Sequence, residues 1–395
     1  MPSPEAGCIA GTLRTEADVV PDATITITGP GGFSEEVTTG ETGKWNVQVS
    51  EPGDYTVTLD EDSLPDDVVT DRPEINVTVK LGATQAATID VRTGSYSAET
   101  SKVDELVQST VNGLRLGLLL ALASVGLSLI YGTTGLSNFA HAEQVTLGGL
   151  LGYLFINQNG LSLWVGGILV VIVCAFSGWF QDRVLWQPLR RRGLGLIQMM
   201  IVTIGLSLAL QYSFQYAVGA RTVRVVQDNP EVSTFGSVTI TNQSIVAMAI
   251  SIVVLAAVGY ALLRTRIGRA TRAVSDNPAL AAASGIDTDR VIRLVWTVAM
   301  GLAGLSGLLY ALVTNGIKWD SGMQILLLLF AAVTLGGLGT AFGALIGALI
   351  IGLVVELSPV LGMPGDFKYA TAMLILILLL LVRPQGLLGK AQRVG

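Results

Sequence analysis

The chain has 395 residues, of which half are apolar and only 14% are charged, and its mean hydropathy is +0.59. Soluble domains carry about 25% charged residues, so a water-soluble globular protein is excluded for most of the chain. One histidine excludes a histidine-rich metal site, and no G-x-x-x-x-G-K-[S/T] phosphate loop occurs, which argues against nucleotide hydrolysis. No nucleic-acid partner, catalytic constellation, metal or cofactor is expected.

The charge divides the chain into two parts. Residues 1–104 hold 6 Lys and Arg against 19 Asp and Glu, whereas residues 105–395 hold 18 basic against 11 acidic residues. The overall pI near 4.9 therefore hides one acidic part and one mildly basic part, which indicates a domain boundary. The predicted divisions are a β-sandwich over 1–95, a linker over 96–107, a transmembrane domain over 108–386 and a tail over 387–395.

The acidic part alternates short β-branched runs with glycine-rich turns. Strands are predicted at 7–13, 23–29, 33–39, 44–50, 54–60, 74–80 and 86–92. Seven short strands at regular spacing are typical of a small all-β antiparallel sandwich. The pattern VPDATITITGPGG…TGKWNVQVSEPGDYTVTLD resembles the carboxypeptidase-regulatory and transthyretin-like sandwiches, which implies a fold and not an activity. Its scattered acidic residues are interpreted as a solvated surface, with a docking or spacer module as the functional alternative.

Eight apolar segments follow. They lie at 111–132, 137–156, 161–180, 196–219, 244–263, 293–314, 323–357 and 367–382. Each of the first six approximates the roughly 20 residues that a helix needs to cross a bilayer. The seventh is too long for one span and is interrupted by GGLGTAFG, which predicts a hairpin of a short helix and a longer one. The fold class is therefore an all-α polytopic membrane domain of about 8 to 9 transmembrane segments, some discontinuous, preceded by the sandwich.

Basic residues predict the orientation. Loop 181–193 holds four arginines, loop 264–293 holds six, and the tail after Val382 adds three basic residues. By the positive-inside rule these segments are cytoplasmic, which predicts a multi-pass bacterial plasma-membrane protein with its sandwich outside and its C-terminus inside. The opening MPSPEAGCIAG has no apolar signal region. Three explanations stay open: a native chain that begins upstream, a first span acting as a reverse anchor, or a span count off by one.

Five stretches resemble the permease subunits of bacterial branched-chain amino-acid ATP-binding-cassette (ABC) importers. They are GLSLIYGTTGLSNFAHAEQVTLGG (126–149), TIGLSLALQ (203–211), RTRIGRATRAVSDNPALAAASGIDTDRVI (264–292), FAAVTLGGLGTAFGALIGALIIGL (330–353) and LILILLLLVRPQGLLG (374–389). The motifs are specific to the permease family and less specific to the solute, because urea and short-chain amide permeases share them. Ala142 stands where the family usually has glycine, and the N-terminal sandwich lies outside the common family pattern.

The resemblance implies a permease subunit that translocates branched-chain amino acids or a related small polar solute and is not itself an enzyme. The implied partners are a second homologous permease subunit, two ATPase subunits, an extracytoplasmic solute-binding protein and the lipid bilayer. A passive channel for urea or a similar small solute is the main alternative. A surface receptor or adhesin and an intramembrane enzyme are further classes. The arginine-rich loop favours the importer, because a channel has no use for a cytoplasmic lever.

Loop 264–293 contains a predicted short helix. Asn277 and its neighbours offer polar N-caps, Pro278 stands at the first turn, and Gly285 ends the helix after about two turns. The resemblance implies that this is the coupling helix gripped by an ATPase subunit, whereas the alternative is an ordinary loop whose arginines are fixed by topology. The candidate coupling residues are Arg272, Asp276, Asn277, Pro278, Ala281 and Gly285.

Asn138, His141 and Glu143 lie where the second apolar segment begins. Ionisable residues at membrane depth are costly and usually face a cavity or a partner. If this segment is a discontinuous helix, its freed backbone would line the solute path. The alternative is that all three residues cap the cytoplasmic end of the helix in the headgroup region.

The hexapeptide VTLGGL occurs twice, at 145–150 and 333–338. Opposed copies in glycine-broken helices are typical of inverted repeats around a central site, and chance recurrence is the alternative. We predict that both copies lie close together near the middle of the membrane. Leucine at Gly148 or Gly336 should then impair transport more than leucine at Gly347. The candidate path residues in the two copies are Gly148, Gly149, Gly336 and Gly337.

Overall fold

The structure is a computed structural model, and it describes residues 7–15, 19–65, 68–70, 73–79, 84–87, 89, 91–93, 102–227, 231–383 and 385–389. The chain separates into two compact units, Met1–Thr100 and Ser101–Gly395. Residues 96–101 of the predicted linker lie outside the described residues, and residues 102–107 form the first turns of a helix instead. Of the predicted tail, residues 390–395 also lie outside the described residues.

The first unit is built from short strands. They are β1 (Gly7–Thr12), β2 (Thr24–Gly29), β3 (Phe33–Thr38), β4 (Lys44–Val49), β5 (Gly53–Leu59), β6 (Val68–Thr70), β7 (Glu74–Val79), β8 (Thr84–Ala86) and β9 (Val91–Thr93). The first six predicted strands are observed within one residue of their predicted bounds. The predicted strand at 86–92 is divided between β8 and β9, and β6 was not predicted.

The strands form sheets of order β4-β1-β8 and β3-β2-β5-β7 and a separate pair, β6 with β9. All pairings are antiparallel except that of β1 with β8, which is parallel. The prediction of a purely antiparallel sandwich is therefore wrong for this pair. Since β7 belongs to the other sheet, the chain crosses between sheets before β8, and a parallel neighbour requires such a crossover.

Alternating side chains make the core of this unit. Along β4, Trp45, Val47 and Val49 are buried while the residues between them are exposed. Ile25 and Ile27 of β2 are buried in the same way. Because side chains of a strand point alternately to opposite faces, the alternation in the sequence is what produces one apolar core between the sheets.

The second unit is mostly helical. Its helices are α1 (Lys102–Thr134), α2 (His141–Gly152), α3 (Leu163–Gln181), α4 (Gln187–Arg191), α5 (Leu196–Val218), α6 (Asn242–Arg264), α7 (Arg266–Asp276), α8 (Pro278–Ala283), α9 (Thr288–Val313), α10 (Ser321–Gly336), α11 (Ala341–Leu357) and α12 (Lys368–Val382). Wider π-helical turns extend α2 over Tyr153–Gln158 and join α3 to α4 over Asp182–Trp186. A small hairpin of β10 (Val232–Phe235) and β11 (Val238–Thr241), absent from the all-α prediction, lies between α5 and α6.

Several of these helices are apolar enough to cross a membrane. Five are also long enough: Lys102–Thr134, Leu163–Arg191, Leu196–Val218, Asn242–Arg264 and Thr288–Val313. The shorter apolar helices are Ser321–Gly336, Ala341–Leu357 and Tyr369–Val382. The predicted break in the long seventh segment is confirmed, since α10 ends at Gly336 and α11 begins at Ala341. Its two helices have 16 and 17 residues, so the prediction of a short and a longer helix is wrong.

Helices α1, α2 and α3 and helices α9, α10 and α11 are packed in the same pattern. Helix α1 crosses α9, α3 packs along α9, and α11 packs along α1 in the same manner. Gly113 and Gly117 of α1 lie against the backbone of α11, and Gly304 of α9 lies against Cys174 of α3. The glycines allow close approach of the helices, as small residues do in membrane proteins.

The two trios run in opposite directions. Ser306 donates to the Leu119 carbonyl at 2.7 Å, and Gly126 lies against Ala299, so α1 and α9 are antiparallel. Each of these two helices is followed by a left-handed residue, Gly135 at φ +69° and Asn315 at φ +55°. A short non-helical segment then leads into α2 or α10. This arrangement is that of an inverted repeat.

Candidate functional site

Two ends of the helical unit are distinguished by charge. The end that carries the arginines of 183–192 and 264–293 is called the basic end, and the end formed by 159–162, 219–227, 231–241 and 314–320 is called the opposite end. At each end, direct contacts join segments that are distant in the sequence. Arg191 pairs with Asp289 at 2.9 Å at the basic end, and Val223 bridges Ile317 at the opposite end.

Helix α2 begins inside the unit after a non-helical segment. Helix α1 ends at Thr134, residues 135–138 have no regular structure, and α2 starts at His141. The Asn138 side chain accepts a hydrogen bond from the Ala140 amide at 3.1 Å, and the Phe139 amide donates to the Thr203 hydroxyl at 3.2 Å. Side chains thus satisfy backbone donors that a continuous helix would pair internally. The discontinuity lies at the segment for which the sequence left a discontinuous helix and a capped helix end as alternatives.

Glu143 lies level with the centres of two neighbouring spans. It is fully buried, and its Oε1 accepts a hydrogen bond at 3.1 Å from Ser207, the central residue of α5 (Leu196–Val218). The next residue, Gln144, accepts a hydrogen bond at 2.7 Å from Ser177, the central residue of the span Leu163–Arg191. These contacts place the start of α2 at mid-span depth and not at a helix end.

The polar side chains near the start of α2 are only partly satisfied. His141 Nε2 lies 2.9 Å from the Ala123 carbonyl oxygen of α1. Within the described residues, Asn138 Nδ2, His141 Nδ1 and Glu143 Oε2 are buried without a hydrogen-bond partner, as are the hydroxyls of Ser124 and Ser128 on α1. Unpaired buried polar atoms cost about 1–3 kcal/mol each, so their concentration in one place indicates a functional demand.

Helix α5 presents a polar stripe to this segment. Thr203, Ser207 and Gln211 are its buried polar residues, at spacings of four that place them on one face. Towards the opposite end, a cavity of about 260 Å³ lies between α2 and α5. Leu147, Leu151 and Phe214 supply apolar wall, while Gln158 and Arg221 lie at its outer margin. We name this space the α2–α5 cavity.

The two VTLGGL copies occupy different places. A Cβ at Gly148 would overlap the Gly304 carbonyl of α9, whereas one at Gly336 would overlap the Gly343 backbone of α11. Helices α2 and α10 are antiparallel, since the rings of Phe139 and Phe330 lie 4.9 Å apart and Thr146 accepts from the Gly322 amide at 2.8 Å.

The copies therefore extend in opposite directions from this crossing, and the prediction that they lie close together is wrong. The reason is position within the helix. The first copy starts four residues after the start of α2, and the second starts twelve residues after the start of α10. Gly149 lies against Ile317 and Gly337 against Gly389, so these two glycines also serve separate contacts. The inverted arrangement rests on the helix trios and not on the hexapeptide.

The short helix α8 is capped as its sequence predicts. The Asn277 side chain accepts from the Leu280 amide at 2.9 Å, Pro278 is the first helical residue, and Gly285 follows the helix at φ +84°. Leu280 is 65% exposed whereas Ala281 is 4% exposed. The methyl group of Ala281, one of the candidate coupling residues, therefore packs inward, whereas Leu280 points outward.

Helix α7 precedes α8 and was missed in the sequence. Its Thr265 N-cap accepts from the Gly268 amide at 3.0 Å, and its buried residues Gly268, Thr271 and Val274 recur every third position. Arg272 donates to the Leu262 carbonyl at the end of α6, so this arginine holds α7 to the membrane helices. Asp276 is exposed at the end of α7. The periodic small residues were the signal for an amphipathic helix.

A buried ion cluster at the basic end was also missed. Asp182 is fully buried and lies 2.8 Å from Arg190 and 3.5 Å from Arg293. Gln187 accepts from Arg293 at 2.8 Å, and the rings of Trp186 and Trp296 stack at 5.2 Å. The cluster fixes the π-helical turn after α3 to the first turns of α9, directly beside the loop that carries α8.

Comparison with known proteins identifies the helical unit. Residues 109–382 match the family described as "Branched-chain amino acid transport system / permease component". The permease protein LivH of Salmonella typhimurium, from a high-affinity branched-chain amino acid transport system, is 31% identical over 305 residues, which cover 72% of this chain and 96% of LivH. BraD of Pseudomonas aeruginosa, from a transport system of the same description, is 28% identical over the same shares.

One solved structure is similar to part of the chain. The minor pilin GBS52 of Streptococcus agalactiae matches 25% of this chain and 48% of its own, at 13% sequence identity and a TM-score of 0.21. A TM-score this low carries no argument about the fold. The family match, in contrast, covers more than half of the chain. This chain belongs to the family of branched-chain amino acid transport system permease components.

Proposed function

We propose that this chain is the permease subunit of an ABC importer for branched-chain amino acids. A second homologous permease subunit completes the path, two ATPase subunits drive it, and an extracytoplasmic solute-binding protein supplies the solute. The observation that carries the proposal is the pairing of a capped, outward-facing helix α8 at the basic end with a discontinuous, polar helix α2 at mid-span depth. Helix α8 suits a contact through which an ATPase subunit moves the permease, and helix α2 suits a solute path.

The solute path is proposed to follow the contact between α2 and α5. A solute entering from the opposite end meets Arg221 and Gln158, then the leucine-lined α2–α5 cavity, and then the polar residues around Glu143. A cavity of about 260 Å³ with apolar walls suits an aliphatic side chain, and polar groups at both margins suit the charged groups of an amino acid. Small polar solutes such as urea gain nothing from such walls.

Movement of α8 is proposed to reach the membrane helices through α7. The end of α1 lies between α7 and the turn joining α10 to α11, because a Cβ at Gly132 would meet Ser275 and Gly339. A second cavity, of about 280 Å³, lies at this place and is lined by Thr133, Arg272 and Thr340 among others. A cavity beside α7 leaves room for this helix to shift.

The basic end is proposed to be cytoplasmic. In this arrangement the membrane is crossed in turn by α1, the segment 135–158, the span Leu163–Arg191, α5, α6, α9, α10, α11 and α12. This order leaves the sandwich outside and the C-terminus inside. The arginine distribution supports it. The short α10 and α11 are tolerated because α1 covers their backbone with protein.

Single cysteines test this orientation in a Cys8→Ser background, in which Cys174 is buried. Ser97, a natural position for such a probe, lies outside the described residues, so Ser50 and Asn159 serve instead, with Arg192 for the basic end. All three are exposed. Ser50→Cys and Asn159→Cys should react with an impermeant maleimide on intact cells, and Arg192→Cys only after lysis. The reverse pattern would invert the topology.

The proposed solute is tested in the native host after deletion of the gene for this chain. Uptake of radiolabelled leucine at low external concentration should fall at least tenfold and return with the wild-type gene. Excess unlabelled valine or isoleucine should compete, and urea should not. Unchanged leucine uptake with loss of urea or amide uptake would reassign the solute while leaving the permease family intact.

A further inference from the structure

The carboxylate of Glu143 has no positive partner in the part of the chain that the structure describes. Among the described residues, no lysine, arginine or histidine nitrogen lies within 4.0 Å of it. Ser207 donates to Oε1 at 3.1 Å, and the Thr146 hydroxyl also lies beside the carboxylate. The second oxygen, Oε2, is fully buried and has no hydrogen-bond partner. A carboxyl group buried in this way has one oxygen whose hydrogen-bonding capacity is unsatisfied, and a bound ligand with a donor group could satisfy it.

The position of Glu143 relates it to the cavity. Leu147 lies one turn further along α2 and lines the α2–α5 cavity, and Phe214 lines it from α5 seven residues beyond Ser207. Neither Glu143 nor Ser207 lines the cavity itself; their contact lies about one helical turn before Leu147, deeper in the unit. A solute with an aliphatic portion in the cavity would place its polar groups beside Glu143.

We propose that Glu143 is the ammonium-recognition residue of a transit site for amino acids, with Oε2 accepting a hydrogen bond from the α-ammonium group. This inference rests on the proposed function and names the chemical group of the solute that the path recognises. The ammonium group supplies both the missing positive charge and the missing donor. Asn138 Nδ2, which is also buried without a partner in the described residues, is a donor suited to the solute carboxylate.

The unpaired Oε2 of Glu143 lets this site discriminate between amino acids and analogues that lack the ammonium group. An amide or a keto acid of the same shape would fill the cavity equally well but would leave Oε2 without a positive donor. Sites built to bind a polar group reject analogues that lack it, because the buried partner is then left unpaired. Hydrogen bonds to charged groups are worth enough for a tenfold or larger preference.

The test uses the purified full-length chain in lipid nanodiscs and radiolabelled leucine binding in a scintillation proximity assay. Leucinol, which keeps the ammonium group and lacks the carboxylate, should compete with leucine. 4-Methylpentanoate, which keeps the carboxylate and lacks the ammonium group, should compete at least tenfold less well. Glu143→Gln should weaken leucine binding about tenfold or more and remove the preference for leucinol over 4-methylpentanoate.

The matched control is Glu356→Gln, a carboxylate of α11 that acts on Arg115 of α1 and is remote from the cavity lining. It should keep both the affinity and the preference. Equal competition by both analogues in the wild-type protein, or an unaltered preference in Glu143→Gln, would overturn the assignment of Glu143 while leucine uptake in the host remains. Loss of leucine handling by the wild-type protein in both assays would instead overturn the proposed function.

Discussion

Replacing Leu280 with aspartate should abolish energised leucine uptake while the chain still inserts into the membrane and folds. The Leu280 side chain is 65% exposed on α8 and is the largest apolar group on that helix. If an ATPase subunit grips α8, this leucine is buried in the contact, and a buried unpaired charge there would cost several kcal/mol of binding free energy. Uptake is measured in the deletion host, and insertion by the amount of chain in the membrane fraction.

The matched control is Leu361→Asp in the turn that follows α11, where the leucine is 75% exposed. It introduces the same charge away from α8 and should leave uptake near the wild-type rate. Full transport by Leu280→Asp would remove α8 from the coupling role. Ala281, the position chosen from sequence, is the weaker test, because its 4% exposure means that a charged side chain there would also disturb the packing of α8 on its own protein.

Replacing Gly148 with leucine should prevent the helical unit from folding. A Cβ at this position would overlap the carbonyl oxygen of Gly304, and the overlap involves backbone on both sides, which no rotamer change relieves. Overpacking of this kind costs about 3 kcal/mol or more. We expect loss of the monodisperse peak in fluorescence-detected size-exclusion chromatography of the solubilised protein.

Gly205→Leu is the control, since within the described residues no atom beyond the adjoining backbone of α5 lies within 4 Å of the Cβ position at Gly205, and it should keep a wild-type peak. The sequence predicted that leucine at Gly148 or Gly336 impairs transport more than leucine at Gly347. A Cβ at Gly347 would however overlap the Ala332 carbonyl, so Gly347→Leu should fail as Gly148→Leu does. A monodisperse Gly148→Leu protein would contradict the tight α2–α9 contact.

The features predicted well from the sequence are those set by local chemistry. Asn277 and Gly285 are a cap and a stop that depend only on their own residues, and both act as predicted. The glycine-rich break between α10 and α11 is equally local. The alternation of Trp45, Val47 and Val49 gives the strand and its buried face together.

The features missed depend on contacts between distant segments. Asp182 and Arg293 are 111 residues apart in the sequence, so nothing in the neighbourhood of either residue indicates that they pair. The depth of Glu143 followed only from its contact with Ser207 on another helix. Helix α1 begins at Lys102, earlier than its apolar segment, because its first turns are polar and carry no hydropathy signal.

The repeat illustrates the same limit. VTLGGL suggested an inverted arrangement, and α1–α3 and α9–α11 do pack as inverted trios. The two hexapeptides nevertheless lie at different distances from the starts of α2 and α10, so they are not equivalent positions in the inverted repeat. The corresponding features are Gly135 and Asn315, two left-handed residues that precede α2 and α10. The two trios are therefore related by backbone conformation at these two positions and not by residue identity.

We propose that this chain conducts solute only as part of an ATP-driven importer. The direct measurement is leucine accumulation by host cells that carry the wild-type chain, with and without depletion of cellular ATP. Energised cells should accumulate leucine well above the external concentration, and almost no leucine should enter after ATP depletion. Leucine or urea that equilibrates across the membrane through this chain after ATP depletion, without accumulating in energised cells, would instead establish a passive channel.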